Sequence, residues 1–267
     1  MPATYAHYKL GQAILAEASL PIREVITAYP NLFQIGLHGP DILFYHDPLS
    51  SNEVRKLGYD MHKRSGLEWF SHAKKVLKLH PDRPDYLAYT YGVICHFALD
   101  VTCHGYINEK AASSGIHHYE IESEFDRELM IRDRLDPIRQ YVTNHIVAST
   151  ANAEIIKDFY PGVSTKSMQK ALSGMIFYLN ILITPSRLKR NILFFALRLT
   201  GQTNLQGLFI NYEPNTMCMD STQHLLTLFE KGKTLALELL DTFLEYIEHE
   251  VPPASIYHYS FDSQPVD

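Results

Sequence analysis

Apolar residues return every three or four positions along most of this chain, and that spacing constrains its fold more than any other feature. It runs through YKLGQAILAEA, GLEWFSHAKKVLKL, YLAYTYGVICHFALDVTCHGYI, EIESEFDRELMI and the C-terminal HLLTLFEKGKTLALELLDTFLEYIEHE, the pattern of helices that bury one face. The competing pattern, alternating β-branched residues closed by Asn-Gly or Asp-Gly turns, does not occur. Breakers at Pro21, Gly39-Pro40, Pro81 to Pro84, Ser113-Ser114-Gly115, Pro137, Pro161-Gly162, Pro185 and Pro214 divide the chain into about eight to ten helices. No repeat at a fixed period is present, which excludes a solenoid. The expectation is an all-α protein forming a single multi-helix domain over residues 1–267, with an irregular tail, YHYSFDSQPVD.

With 46% apolar and 20% charged residues, the chain can build a real core and is neither disordered nor a coiled coil. Its 267 residues lie within what one core can serve. The net charge of -6 opposes the phosphate attraction on which nucleic-acid binders rely, so nucleic acid is a disfavoured partner. Three cysteines, Cys95, Cys103 and Cys218, form no CxxC pair; neither a disulfide framework nor a thiolate zinc site is indicated, and a reducing compartment fits best. The start has no basic region before an apolar core, and Glu17 interrupts its hydrophobic stretch, so no secretory signal is expected. MIFYLNILITP is too short for a bilayer-spanning helix of about 20 residues and reads as a buried helix. A cytoplasmic location is the expectation.

Of 14 histidines, eleven lie between His7 and His145, which places any metal chemistry in the first half, residues 1–130. In HFALDVTCH, His96, Asp100 and His104 are four residues apart; on a helix they drift by about 40° per step and share one face. HYEIE then offers His118 and Glu122 at the same spacing. Two such helices facing each other present five imidazole and carboxylate ligands to one cavity, a donor set suited to zinc. A bridging carboxylate can hold two ions about 3.5 to 4 Å apart, and Asp100, between two histidines, is the natural bridge. A single His/Asp pair at this spacing is commonly a surface hydrogen bond or a satisfied core histidine. Two pairs with a third histidine in register are harder to explain so, because Phe97, Ala98 and Leu99 mark a buried segment where charges need a partner or a cation.

HxxxD, then a His, then fourteen residues on the His of HxxxE, resembles the zinc-dependent phospholipase C family and its relatives, the single-strand-specific zinc nucleases. YAHYKLG, GLHGPDILFYHDP and GYDMHKRSGLEWF extend the resemblance upstream with His7, Asp41 and His62, the last expected at the start of a helix. The resemblance spans residues 1–130; residues 131–267 join the same domain by size and composition alone. It implies an all-α domain of the phospholipase C and zinc nuclease type, holding two or three zinc ions. One would be held by Asp41, His62, His96 and Asp100, a second by His104, His118 and Glu122, and a third by His7 and Asp100 with the chain terminus. It further implies metal-dependent hydrolysis of a phosphodiester, with Asp41 as the catalytic residue that orients or deprotonates water. Three departures stand out. Met1-Pro2 replaces the mature N-terminal tryptophan of the secreted members, and the Asp100 to His104 spacing is shorter than theirs. His46 in FYHDP competes with His62, which is preferred for its helical context. His38 and His117 are read as bystanders, with a place in the cleft wall left open for His38.

The implied partner is a phospholipid or another phosphodiester. Phe33, Leu37, Phe44, Tyr45, Trp69 and Phe70 could pack against lipid or stack on a base, although ordinary core aromatics are the commoner case. SRLKRNILFFALRL, with Arg187, Lys189, Arg190 and Arg198, could make peripheral membrane contact on an anionic surface, against the commoner reading of a solvated basic edge. The lipid-binding β-sandwich of some secreted phospholipases C is not expected within these 267 residues. Rival readings are a catalytically weak or inactive metal-binding protein with the same ligands, and a zinc-dependent nuclease. A metal phosphohydrolase built on His46-Asp47 would leave the array from His96 to Glu122 unexplained. Head group and oligomeric state are left open.

Overall fold

The computed structural model of the chain describes residues 4–249 and 251–266. Eleven α-helices occur among them: α1 (Thr4–Glu17), α2 (Leu20–Ala28), α3 (Pro30–Gly36), α4 (Glu53–Lys63), α5 (Gly66–Leu79), α6 (Pro84–Ser114), α7 (His118–Arg132), α8 (Thr150–Ile156), α9 (Thr165–Leu182), α10 (Arg187–Leu199) and α11 (Met219–Glu248). A 3-10 segment, Gly39–Tyr45, joins α3 to α4. The described residues contain no strand, only two isolated antiparallel bridges, Ser65 with Ser260 and Tyr259 with Pro265. The all-α expectation therefore holds. The helix count exceeds the expected eight to ten because α3 and α8, of seven residues each, are too short for periodicity to register.

Local chemistry accounts for the boundaries. Pro21, Pro30, Pro40 and Pro84 each occupy the first or second position of a helical segment, where a missing N–H leaves no bond unmade. Asn52, Ser65, Ser149, Ser164 and Ser186 accept backbone N–H bonds as caps of α4, α5, α8, α9 and α10.

The 31-residue α6 is the central column. Every residue from Ala88 to Asp100 is buried, so the helix is enclosed around its whole circumference, with Thr90, His96 and Asp100 the polar residues among an otherwise apolar surface. α3 crosses it on one side and α11 packs along it on another. The crossing with α3 depends on glycine: a Cβ on Gly92 would run into the carbonyl oxygen of Phe33, and one on Gly36 into that of Tyr89.

Two expectations need correction. MIFYLNIL lies in α9, but the helix buries only the face carrying Met168, Ala171, Leu172, Met175 and Leu179. Phe177 stays 60% exposed, so the segment is a surface amphipathic helix and not a fully buried one. His62 is not at the start of a helix: Asn52 caps α4 ahead of it and Ser65 caps α5 after it, which leaves His62 in the last turn of α4. No single described helix is long and apolar enough to cross a membrane.

The C-terminal tail is irregular, as expected, yet it is built into the fold. Gly66 N–H donates to the Tyr259 carbonyl at 2.8 Å, Ser65 Oγ to that of Tyr257 at 2.8 Å, and Ser263 Oγ to that of Val101 at 2.7 Å. Phe261 is fully buried against the rings of His62, His96 and Phe97.

Two substitutions test this packing by urea denaturation. Gly92→Ala lowers stability by about 2 to 3 kcal/mol through overpacking at the α3–α6 crossing. Phe261→Ala lowers it by about 3 to 5 kcal/mol through the cavity it opens beneath the histidines; a loss below about 1 kcal/mol would show that the tail is not part of the core.

Candidate metal centre

Five segments bring the eight candidate residues together. α1 carries His7, and its first turn is anchored from α7: the buried Asp126 carboxylate accepts the N–H groups of Tyr5 and Ala6, each at 2.8 Å. Burial pushes the Asp126 carboxyl up to about 7, against the pull of those two donors. The 3-10 segment carries Asp41. It passes directly over the His96 ring at Gly39, where φ is 43° and a Cβ would stand 2.6 Å from the imidazole; a left-handed backbone and this close approach both call for glycine. α4 supplies His62, α6 supplies His96, Asp100 and His104, and α7 supplies His118 and Glu122. Seven of the eight are buried and His118 is half-buried.

Their side chains form a network of two groups, one around Asp41 and Asp100 and one around Glu122. His62 Nε2 lies 2.8 Å from Asp41 Oδ1, and His96 Nε2 lies 3.9 Å from the same oxygen. Asp100 stands between two imidazoles, its Oδ2 3.2 Å from His96 Nε2 and its Oδ1 3.3 Å from His7 Nε2. Glu122 faces His104 Nε2 and His118 Nε2, each at 3.9 Å.

The other ring nitrogens explain why these faces point inward. His62 Nδ1 donates to Gly58 O at 2.7 Å, His96 Nδ1 to Leu37 O at 3.1 Å and His104 Nδ1 to Phe261 O at 2.8 Å. A proton used on Nδ1 leaves the lone pair on Nε2, the arrangement typical of metal-binding histidines. Each such lone pair then faces a carboxylate, which is repulsive unless a proton or cation lies between. His7 Nε2, His96 Nε2, His104 Nε2 and both oxygens of Asp100 are buried with no hydrogen-bond partner among the described residues, and each such group left bare costs about 1 to 3 kcal/mol. Two sets of ligand atoms, from His7, Asp41 and His96 and from His62, His96 and Asp100, lie within 4.8 Å of one another and could hold a metal ion. Imidazole nitrogens with carboxylate oxygens match zinc in chemistry and number.

Burial and neighbouring charges shift the titratable groups of the site in different directions. Burial, reinforced by His96, lowers the pKa of His7. Burial also takes His118 down to about 4 and Glu122 up to about 8. At Asp100 burial opposes ionisation, but His96, His104 and His7 outweigh it and hold the carboxyl well below its usual range. At His62 and His96 the neighbouring carboxylates outweigh burial and raise the pKa. Protonation is thus disfavoured at His7 and His118 and favoured at His62 and His96, beside an Asp100 that stays ionised.

His46 lies outside this network, its Nδ1 3.1 Å from Asn52 Oδ1, and Asp47 pairs with Lys170, so the His46-Asp47 doublet builds no site of its own. His117 caps α7 by accepting from Tyr119 N–H at 3.3 Å. His38 does reach the cleft wall and meets His145, Nε2 to Nε2, at 2.7 Å. The cleft, a cavity of about 120 Å³, is lined at its polar end by His7, His38, Asp41, Tyr45, Tyr119 and Glu122. Of the aromatic candidates, Tyr45 lines it, whereas Phe33, Trp69 and Phe70 are core residues. The chain terminus expected at a third metal lies outside the described residues. Asp126, Tyr119 and the Phe261 carbonyl escaped the sequence reading. Tyr119 adjoins His118 and could have been found by that signal; a carbonyl direction 157 residues from its histidine leaves no local trace.

No curated protein and no solved structure matches the chain. The family model described as zinc dependent phospholipase C matches residues 6–169, a span that contains all eight candidate ligands and most of the cleft's polar wall. With the geometry and this match in agreement, the chain belongs to the zinc dependent phospholipase C family.

Proposed function

We propose that the protein hydrolyses a phosphodiester, most readily that of a phospholipid, with two or three zinc ions. Asp41, His62, His96 and Asp100 hold one ion, and His104, His118 and Glu122 a second. His7 and Asp100 contribute to a third. The observation that carries this reading is that buried ligand atoms of His7, Asp41, His62, His96 and Asp100 gather in two sets within 4.8 Å, with His7 Nε2, His96 Nε2 and both Asp100 oxygens lacking a hydrogen-bond partner among the described residues. When bound, such ions polarise phosphoryl oxygens and lower the pKa of water to about 7.

Asp41 is the catalytic residue in this reading. Its carboxylate forms part of the cavity wall and is steadied by His62 at 2.8 Å, so it can orient a water and accept its proton. Tyr45 and Tyr119 border the space a phosphoryl group would enter, and Met175, Leu179 and Leu182 of α9 close the opposite, apolar side. That wall comes from beyond residue 130, which favours the whole chain as one working domain. The substrate is a phospholipid or a chemically similar diester, met through peripheral contact with a membrane.

Metal analysis of the purified protein should return two or three zinc ions per chain. Stripping them with a chelator should lower the midpoint of thermal unfolding by roughly 10 °C or more, because ligand binding energy is folding energy. Zinc should also be lost as pH falls through the histidine range, since protons and metal compete for the same lone pairs. Protein that binds no zinc at neutral pH would remove the proposal.

A soluble choline phosphodiester should be cleaved and single-stranded nucleic acid spared; the reverse preference would make the protein a nuclease. Asp41→Asn should cut the rate by about 10²- to 10⁴-fold. Full activity in a variant that keeps its zinc would take the catalytic role from Asp41.

A further inference from the structure

Residues 161–212 contain no Asp or Glu, although Lys166, Lys170, Arg187, Lys189, Arg190 and Arg198 fall among them, in a chain whose net charge is -6. α10 lies inside this acid-free stretch and has two apolar faces. Arg190, Leu193, Phe194 and Leu197 turn inward and are buried or half-buried, with the Phe194 ring 5.1 Å from that of Phe209. Leu188, Ile192, Phe195 and Leu199 turn outward and are 71%, 60%, 61% and 72% exposed. At 100° per residue these four fall within about 60° of arc, a continuous stripe along the helix. The exposed Arg187 and Arg198 border it on one side and the exposed Lys189 on the other. α9 meets α10 at 116° and adds the exposed Phe177.

An apolar stripe of this kind on a helix whose opposite face is already packed marks an interaction surface. The charges around it select the partner. Lysine and arginine beside an apolar stripe can extend to lipid phosphates while the stripe enters the acyl boundary. A second copy of the chain would set the same cations against each other, which like charges disfavour.

The helix is also continuous with the cleft. Arg190, on the inner face of α10, lines the cavity that contains Asp41 and Glu122. It is held there by bonds from Nε to Thr184 Oγ1 at 3.0 Å and from Nη2 to Ile210 O at 2.7 Å, with its guanidinium over Tyr212 at 4.1 Å. A surface seated on α10 would thus lie beside the cavity wall.

We propose that the outer face of α10, Leu188, Ile192, Phe195 and Leu199 framed by Arg187, Lys189 and Arg198, docks the protein on an anionic phospholipid bilayer. The docking rests on the phosphodiesterase reading only for what the bound surface delivers to the cleft.

The test is flotation of the full chain with vesicles of phosphatidylglycerol and phosphatidylcholine, and with phosphatidylcholine alone. The wild type should float with the anionic vesicles and lose binding as salt rises. Ile192→Glu with Phe195→Glu should weaken partitioning by about tenfold or more, with an unchanged circular dichroism spectrum, since both side chains are exposed. Lys189→Glu with Arg198→Glu should weaken binding to anionic vesicles more than to neutral ones. Absence of wild-type binding, or equal binding by the Ile192→Glu, Phe195→Glu protein, would overturn the proposal. A dimer that the same double variant dissolves, without vesicle binding, would assign the face to a second copy. Because flotation reads binding without turnover, the two readings fail separately. A chain that floats through α10 but cleaves no diester loses only the hydrolase reading; one that cleaves a soluble diester and never floats loses only the docking surface.

Discussion

The fold is organised around a buried carboxylate, Asp100, that no hydrogen bond neutralises among the described residues. Asp100 is fully buried, and neither of its oxygens has a donor among the described residues. What it has instead are imidazole nitrogens of His96 and His7 at 3.2 and 3.3 Å, the first turned toward it by the Leu37 carbonyl. A charge in that position is tolerable only beside a compensating positive charge. The surrounding elements make sense as the means of holding donors around a cation: α6 carries three of them, and α1, α4, α7 and the Gly39–Tyr45 segment close in from the sides.

Holding them demands fixed orientations, and these come from the backbone. Three histidines are turned by carbonyls of Leu37, Gly58 and Phe261, which belong to the loop after α3, the body of α4 and the C-terminal tail. The glycine contact between α3 and α6 brings the first of these within reach. Asp126 ties the start of α1 to α7 and so fixes His7 relative to Glu122. The three carbonyls lie one step removed from the space a substrate would fill and set the imidazole directions, whereas Asp126 also borders the cavity.

The other half of the chain contributes surface chemistry of a different kind. The wall of the cleft opposite the histidines is apolar and comes from α9 and the segment that follows. The same region lacks acidic residues and exposes an apolar stripe on α10. The polar, ligand-rich end of the cleft and its apolar wall thus come largely from different halves of the chain.

The helical class, the buried segment around Phe97 and the ligand spacings of α6 and α7 were legible in the sequence, because periodicity and i, i+4 spacing are local properties set by helix geometry. His96, Asp100 and His104 share a face wherever that helix is placed. The position of His62 within its helix was misread, since two caps, Asn52 and Ser65, compete within one short stretch and only the folded chain shows which helix claims it. That α9 is half-exposed, that Arg190 faces the cleft while Arg187, Lys189 and Arg198 face solvent, and that the tail's carbonyl at Phe261 orients His104 could be decided only by tertiary structure. Residue types and their spacing determine what a segment can offer; which neighbour meets it depends on packing between elements far apart in the chain, and no local pattern encodes that.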